Sequence, residues 1–442
     1  MMNSGEQNFL RELALAALQS ATVPAAAAFM GKIPPKSGFT TPVNRLGFDA
    51  VRPGGRDCYP AIWIQDFTMS YSSGLIPPML GQRHLELIAA TQNGPAARLL
   101  QNQVAIPPWA IADHINLDGS AVFFPGTYSS GSDQGGEPYG LRPPACNHFD
   151  FIWLAWLRWH EEGAMADFLT VEYAGVPLLD RLKHAFAAVE TDPANGLVQT
   201  LAERRFVGFI FCDSVYMTGH LLFASLERYR AAGQLAEMCA ALGQKETTQA
   251  YAAEAHRIAR SVPEVFAAPQ THGGWLKAST GVSGQSDVWG TVYALFLDLL
   301  PAAVKKAARA QISAALQAGT IEFQGAFRHV PTDRDASPET AWERAMTARN
   351  VYQNGAYWHT PTGWVVHVLC KTDPAAAEGI CDRYLAALRA GDFRRGENFH
   401  APWENIGRHS ASFQNPVFLP SVTLPFSVLA APQKHQNPCE NH

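Results

Sequence analysis

QSDVWGTVYALFL (residues 285–297) opens on polar residues around Asp287 and runs on as an apolar, helix-like stretch. The same construction recurs five times. It is seen in WIQDFTMS (63–70, with Asp66), NHFDFIWL (147–154, with Asp150) and FCDSVYMTGHLL (211–222, with Asp213). It returns in YQNGAYWHTPTGWVV (352–366, with Asn354) and PSVTLPFSVLA (420–430, with Ser421). Successive polar positions lie roughly 63 to 84 residues apart, which excludes a short-period solenoid. Four of the five gaps hold a second helical pattern. The reading is an all-α toroid of helical hairpins whose inner helices aim polar N-terminal ends at one cavity. Backbone N–H groups and the helix dipole favour anionic groups there. A ring of acids, amides and aromatics around one pocket suits carbohydrate cleavage.

Working outward, FDFIWLAWLRWHEEG (149–163) places Phe, Trp and Leu at i, i+3, i+4 spacing, and VPLLDRLKHAFAAVE (176–190) pairs with it. Asp213 to Arg230 reads as the next inner helix, with GQLAEMCAALG and TTQAYAAEAHRIARSV as its partners, split at Gly243. Ser286–Leu300 and Ala302–Ala318 form a hairpin broken by Pro301, and Trp358–Cys370 with Pro374–Ala390 form another. Residues 64–75 are a short helix with His84–Val104 as outer partner. The last inner helix, from Ser421, pairs with the N-terminal helix LRELALAALQS (10–20) to close the ring. Residues 23–62 are an irregular, Pro- and Gly-rich arm. Residues 106–147 are a long loop insertion, read as a lid over one end; a structureless stretch of that length usually signals function. No linker or low-complexity tract divides residues 1–442, so the expectation is one domain.

Bulk composition narrows the function classes. The 442 residues are 47% apolar but only 17% charged, with 11 Trp and 12 Tyr, residues suited to half-polar sites. A net charge of −5 argues against a nucleic acid partner and against an anionic membrane surface. The seven cysteines (Cys58, Cys146, Cys212, Cys239, Cys370, Cys381 and Cys439) are scattered without a CxxC pair, which argues for free thiols rather than a disulfide framework. No apolar run reaches the length of a membrane span, and Arg11 and Glu12 interrupt the Ala-rich N-terminal stretch. The expectation is cytoplasmic. The oligomeric state is not legible.

Taken together, WIQDF, CDSVYMTGHLLFASLERY, SGQSDVWGTVYALFL, YQNGAYW and GENFHAPWENI resemble the six-hairpin, (α/α)6-barrel glycosidases. The resemblance is to the clan of trehalases, neutral invertases, processing α-glucosidases and glucosylglycerate hydrolases. It covers roughly residues 58 to 426. The resemblance implies a general acid at Asp213 and a general base at Glu404, with Glu397 in RRGENF competing for the second role. It also implies that Asp66 grips the distal hydroxyls of the sugar. The chain departs from the clan in having FCDSVYM around the acid and APWENIG around the base.

A paired role has a physical basis of its own. Glycoside hydrolysis needs one carboxylic acid to protonate the leaving oxygen and a second carboxylate to activate water or attack the anomeric carbon. Asp213 and Glu404, about 190 residues apart, can meet only across a closed toroid. The apolar run FVGFIFC before Asp213 suits an acid that must keep its proton. The competing readings are a helix cap for Asp213 and an ion pair with Arg408 for Glu404. Trp63, Trp289, Tyr357, Trp358 and Trp403 offer flat faces to sugar rings; Gln65, Asp66, Gln285, Asp287 and Asn354 offer hydroxyl contacts. The histidines show no metal spacing, so neither a metal nor a cofactor is expected. The reading is a glycoside hydrolase, inverting, acting on a small α-linked glucoside or short oligosaccharide. The alternatives are a sugar epimerase, isomerase or lyase on the same scaffold, which relies on histidines, or a carbohydrate-binding protein without catalysis.

Overall fold

The computed structural model describes residues 2–29, 42–56, 59–101, 103–282, 284–334, 341–408 and 413–430. Among them, helices of eight residues or more are α1 (Ser4–Ala21), α2 (Ile64–Tyr71), α3 (Pro78–Thr91), α4 (Cys146–Glu161), α5 (Leu178–Ala188) and α6 (Leu222–Ala241). They continue with α7 (Lys245–Phe266), α8 (Val288–Phe296), α9 (Ala302–Gln317), α10 (Thr362–Cys370), α11 (Pro374–Gly391) and α12 (Pro420–Leu429).

The even-numbered helices close a ring. α2 packs on α4, α4 on α6, α6 on α8, α8 on α10, α10 on α12, and α12 returns to α2. Of the odd-numbered helices, α1 packs on α12, α3 and α5 on α4, α7 on α6, and α11 on α10. Composition explains the two layers. All eight residues of α2 are buried, as are Val288 to Leu295 of α8, so these helices are shielded on every face. α7 buries only the stripe Ala255, Ile258, Ser261, Val262 and Phe266, and α9 only Ala308, Ile312 and Ala315. That is the pattern of an amphipathic outer helix. Prolines set several starts: Pro374 opens α11 where Asp373 caps Ala376 N at 3.1 Å, and a proline at the first helical position loses no bond.

Several boundaries differ from the sequence reading, among them the end of α8 at Phe296 rather than Leu300 and the start of α10 at Thr362 rather than Trp358. Asp213 does not begin a helix that runs to Arg230. A 3-10 turn, Ile210–Cys212, is followed by loop, and α6 starts only at Leu222. Gly219 interrupts the run: its φ is +78°, and a Cβ there would meet Thr280 Oγ1 at 2.5 Å. Beyond it, α6 continues unbroken through GQLAEMCAA to Ala241, tolerating Gly233 in its interior and ending just before Gly243. α3 spans Pro78–Thr91 rather than beginning at His84, and gives way to the short strands Arg98–Leu99 and Ala105–Ile106.

The segment 106–147 holds the hairpin His114–Asn116 with Ala121–Val122, and Ala61–Trp63 adds to it as a third antiparallel strand. Cys146, Cys212, Cys239, Cys370 and Cys381 are free thiols, while Cys58 and Cys439 lie outside the described residues, as does part of the arm at 30–41 and 57–58. No helix among the described residues is long and apolar enough to cross a membrane.

Candidate active site

The N-terminal mouth of the ring encloses a cavity of about 310 Å³. Asp66, Asp213 and Glu404 all line it, beside Tyr59, Trp63, Tyr139, Ser214, Tyr352 and Gln353.

Asp66 lies in the first turn of α2, held there by the three-stranded sheet in which Trp63 pairs with His114. The Trp63 ring stacks on His114 at 4.4 Å and meets Tyr59 at 4.9 Å, which fixes the indole as one wall. Beneath it, His114 Nδ1 lies 2.8 Å from Asp113 Oδ2, both side chains fully buried. Asp66 is 6% exposed, and its Oδ1 has no hydrogen-bond partner among the described residues. Burial holds its carboxyl well above the usual range, reinforced by the charges of Glu404, Asp113, Asp150 and Asp213.

Asp213 ends the 3-10 turn and is half-buried. Gln353 secures that turn: its Oε1 accepts from Ser214 N at 2.6 Å and its Nε2 donates to Ile210 O at 3.0 Å. Phe211 packs on Trp289, Trp358 and Phe418 behind the acid. Burial raises the Asp213 carboxyl to about 7, aided by the charge of Asp113 and opposed by a hydrogen bond from Gln353.

Glu404 sits on the strand Trp403–Ile406, paired with Phe413–Pro416, and is 4% exposed. Tyr352 Oη donates to its Oε1 at 3.0 Å and Asn415 Nδ2 donates to its Oε2. Burial raises Glu404 to about 8, with those two donors pulling it down and the charge of Asp213 pushing it up. Both donors adopt left-handed backbone, Tyr352 at φ 52° and Asn415 at φ 50°. Residues other than glycine rarely tolerate that region unless their surroundings hold them there, and such strain clusters at functional sites.

The architecture has solved counterparts. A rhamnosidase from Klebsiella oxytoca with rhamnose bound matches with a TM-score of 0.54 at 10% identity, over 96% of this chain and 64% of that one. A GH63 mannosylglycerate hydrolase from Thermus thermophilus in complex with glucose matches at 0.54 and 14% identity, over 95% and 99% of the two chains. A glucoamylase from Hormoconis resinae matches at 0.56 and 13% identity, over 98% and 74%. The chain therefore spans just under two thirds of the rhamnosidase's length. No family model and no curated protein matches the sequence.

The fold is the six-hairpin toroid.

Within the toroid, the residues singled out in the sequence divide sharply. Trp63, Asp66, Asp213 and Glu404 share the cavity. Asp287 does not line it: as the N-cap of α8 it accepts from Gly290 N at 2.8 Å, beside a separate small void with Cys212 and His329. Asn354 donates to Thr347 O at 2.8 Å and shapes the loop rather than the cavity wall. Gln65 is buried between Glu227 and Ile210 N, at 3.0 and 3.1 Å. Trp289, Tyr357 and Trp358 are core residues; Trp289 Nε1 donates to Phe327 O at 3.3 Å. Gln285 is buried and Trp403 packs on His400 and Phe413, neither lining the cavity. Glu397 is exposed in the turn after the 3-10 segment Phe393–Arg395, away from the cavity. The partners of Glu404 are Tyr352 and Asn415 rather than Arg408, which reaches Gly319 O at 3.4 Å.

Pro125, Gly126 and Tyr139 bring the 106–147 segment into the wall, whereas its Trp109 stacks on His184 at 4.3 Å and its Glu137 pairs with Arg205. Sequence reasoning missed Tyr352, Gln353 and Asn415. The first two stand inside the quoted motif YQNGAYW, where the choice fell on Asn354 and the aromatics after it. Among the described residues, no group of three or more His, Cys, Asp or Glu side chains is placed to hold a metal ion.

Proposed function

We propose that the N-terminal cavity is the active site of a glycoside hydrolase, with Asp213 as general acid and Glu404 as general base. The observation that carries this reading is two raised carboxylates, distant in sequence, lining one small cavity beside an aromatic wall. The GH63 hydrolase with glucose and the rhamnosidase with rhamnose share the fold, which is consistent with a sugar ligand. A cavity of about 310 Å³ is at the small end of the ligand-pocket range, roughly 300–1,000 Å³, and suits a small glucoside or short oligosaccharide.

The resemblance, not the charge distribution, assigns the roles, since burial raises Glu404 (to about 8) slightly more than Asp213 (to about 7). Protonated Asp213 donates its proton to the glycosidic oxygen, and the leaving alcohol departs as its bond to the anomeric carbon breaks. Glu404, as carboxylate, takes a proton from the water that attacks the opposite face of that carbon, inverting its configuration. With Asp213 neutral, the smaller of the two influences that raise Glu404 disappears; burial still raises it, and Asn415 and Tyr352 favour its carboxylate. Asp66, with an unpartnered oxygen, receives sugar hydroxyls, and Trp63 packs on the ring. Among the described residues no histidine lines this cavity, so the proton-transfer groups of an epimerase are lacking there.

The test is ¹H NMR of the first-formed sugar on an α-glucoside panel, with Glu404→Gln as control. β-Anomer formed first, and lost in the variant on all substrates alike, supports the scheme. Initial α-anomer rules out inversion; deuterium uptake at a sugar carbon without bond cleavage replaces hydrolysis by epimerisation.

A further inference from the structure

A second, larger cavity of about 510 Å³ lies at the opposite mouth of the toroid, lined by the C-terminal ends of α2 (Tyr71), α8 (Phe296) and α12 (Val428) and by residues further along α4, α6 and α10. No described residue lines both cavities. Its walls include Trp153 and Trp156 of α4, Tyr293 of α8 and Trp364 of α10. Gln234 of α6 also lines it, only 1% exposed, and neither its amide oxygen nor its nitrogen has a hydrogen-bond partner among the described residues. Buried amides in native folds are almost always bonded, so an unbonded one on a residue that lines a cavity points to a ligand.

The charged groups at this mouth already hold partners, although Arg230 Nε has none among the described residues. Arg230 donates to Tyr293 Oη at 2.6 Å, pairs with Asp150 at 3.4 Å, and lies 3.9 Å from the Trp153 ring centre. Glu161 accepts from both Tyr71 and Arg158. A charged ligand would therefore compete with the partners that Arg230 and Glu161 already hold. What the cavity offers is aromatic surface and one amide that donates and accepts side by side. A sugar ring answers both, through its apolar C–H face and its adjacent hydroxyls.

We propose that the far mouth is a second saccharide site, which takes a neutral mono- or disaccharide on the Gln234 amide between the aromatic walls of α4, α8 and α10. It stands independently of hydrolysis at the other mouth.

The test is calorimetric titration of maltose into the full chain carrying Trp63→Ala, Asp66→Asn and Asp213→Asn, which disables the N-terminal cavity. One maltose should still bind per chain. Adding Gln234→Leu, similar in size but apolar, should weaken that binding at least tenfold while Tm holds or rises, because the open amide is gone. If that variant folds poorly, Leu157→Trp fills the same cavity and should abolish binding instead. A flat titration in a background of wild-type Tm overturns the proposal. So does undiminished binding in a folded Gln234→Leu or Leu157→Trp chain. Indole displacing maltose and binding more tightly would overturn the saccharide assignment.

Discussion

At the N-terminal mouth the toroid presents Asp66, Asp213 and Glu404; at its C-terminal mouth it presents Trp153, Tyr293, Trp364 and Arg230. Both ends are built from the same inner helices. At the first, Asp66 and Glu404 are buried and Asp213 half-buried with no cation among the described lining residues, and each is pushed toward its neutral form. At the second, the buried guanidinium of Arg230 holds Asp150 and Tyr293, and its charge offsets part of the burial that raises Asp150 to about 7. Between them lies a polar strip in which Gln65 bonds Glu227 and Arg230 bonds Asp150. The difference separates an end suited to reaction from one suited to binding. Unmatched burial of like charge costs stability and marks a functional site, whereas a paired buried charge becomes costly once its partner is removed.

If that contrast is right, substitutions at the first mouth cost rate and those along the strip cost stability. The largest effect should come from Asp213→Asn, which keeps shape but removes the proton. Turnover of a glucoside with a poor leaving group should fall by about 10²–10⁴-fold, and less for a nitrophenyl leaving group. Near-wild-type turnover would reduce Asp213 to a structural residue. Next, Arg230→Met should destabilise the fold by about 3–5 kcal/mol in urea melts, because Asp150 is left buried without its partner. A loss under about 1 kcal/mol, the size expected of an exposed pair, would mean that the strip is not holding the ring.

Tyr352→Phe removes one of the two donors that favour the charged form of Glu404. The rate should drop by roughly 10- to 100-fold, the worth of a hydrogen bond to a charged group, and the acid limb of the pH–rate profile should move to higher pH. An unmoved limb would detach Tyr352 from the base.

Stability should also depend on pH in a direction that the raised carboxyls dictate. Their folded pKa values lie above the unfolded ones, so the folded chain binds more protons between about pH 4 and 7–8. Stability should therefore fall as pH rises through that window, and Asp213→Asn should flatten the fall. A steeper fall in the variant would contradict the assignment of Asp213 as a raised acid. The smallest effect should be Asp287→Asn, which preserves the cap on Gly290 N; turnover should stay within about twofold, since Asn caps a helix as well as Asp does. A large rate loss there would return Asp287 to the site.

Sequence alone determined the architecture, because recurring polar starts and apolar runs are local signals that survive without any knowledge of contacts. It also placed Trp63, Asp66, Asp213 and Glu404 among the candidates. Tertiary structure decided which polar residues are spent elsewhere. Asp66 lies inside the first turn of α2 and keeps an open oxygen, whereas Asp287 stands at the cap position of α8 and spends its side chain on Gly290 N. In the sequence both are an Asp before an apolar run; the difference is one of position relative to the helix start. Tyr352 and Asn415 became visible only through Glu404, since their role depends on left-handed backbone and on a strand pairing between distant segments. The far mouth was likewise hidden: Gln234 and Trp364 read as ordinary helix residues until the ring closes and leaves them facing one space, because a cavity belongs to the packing of several helices and to no single one of them.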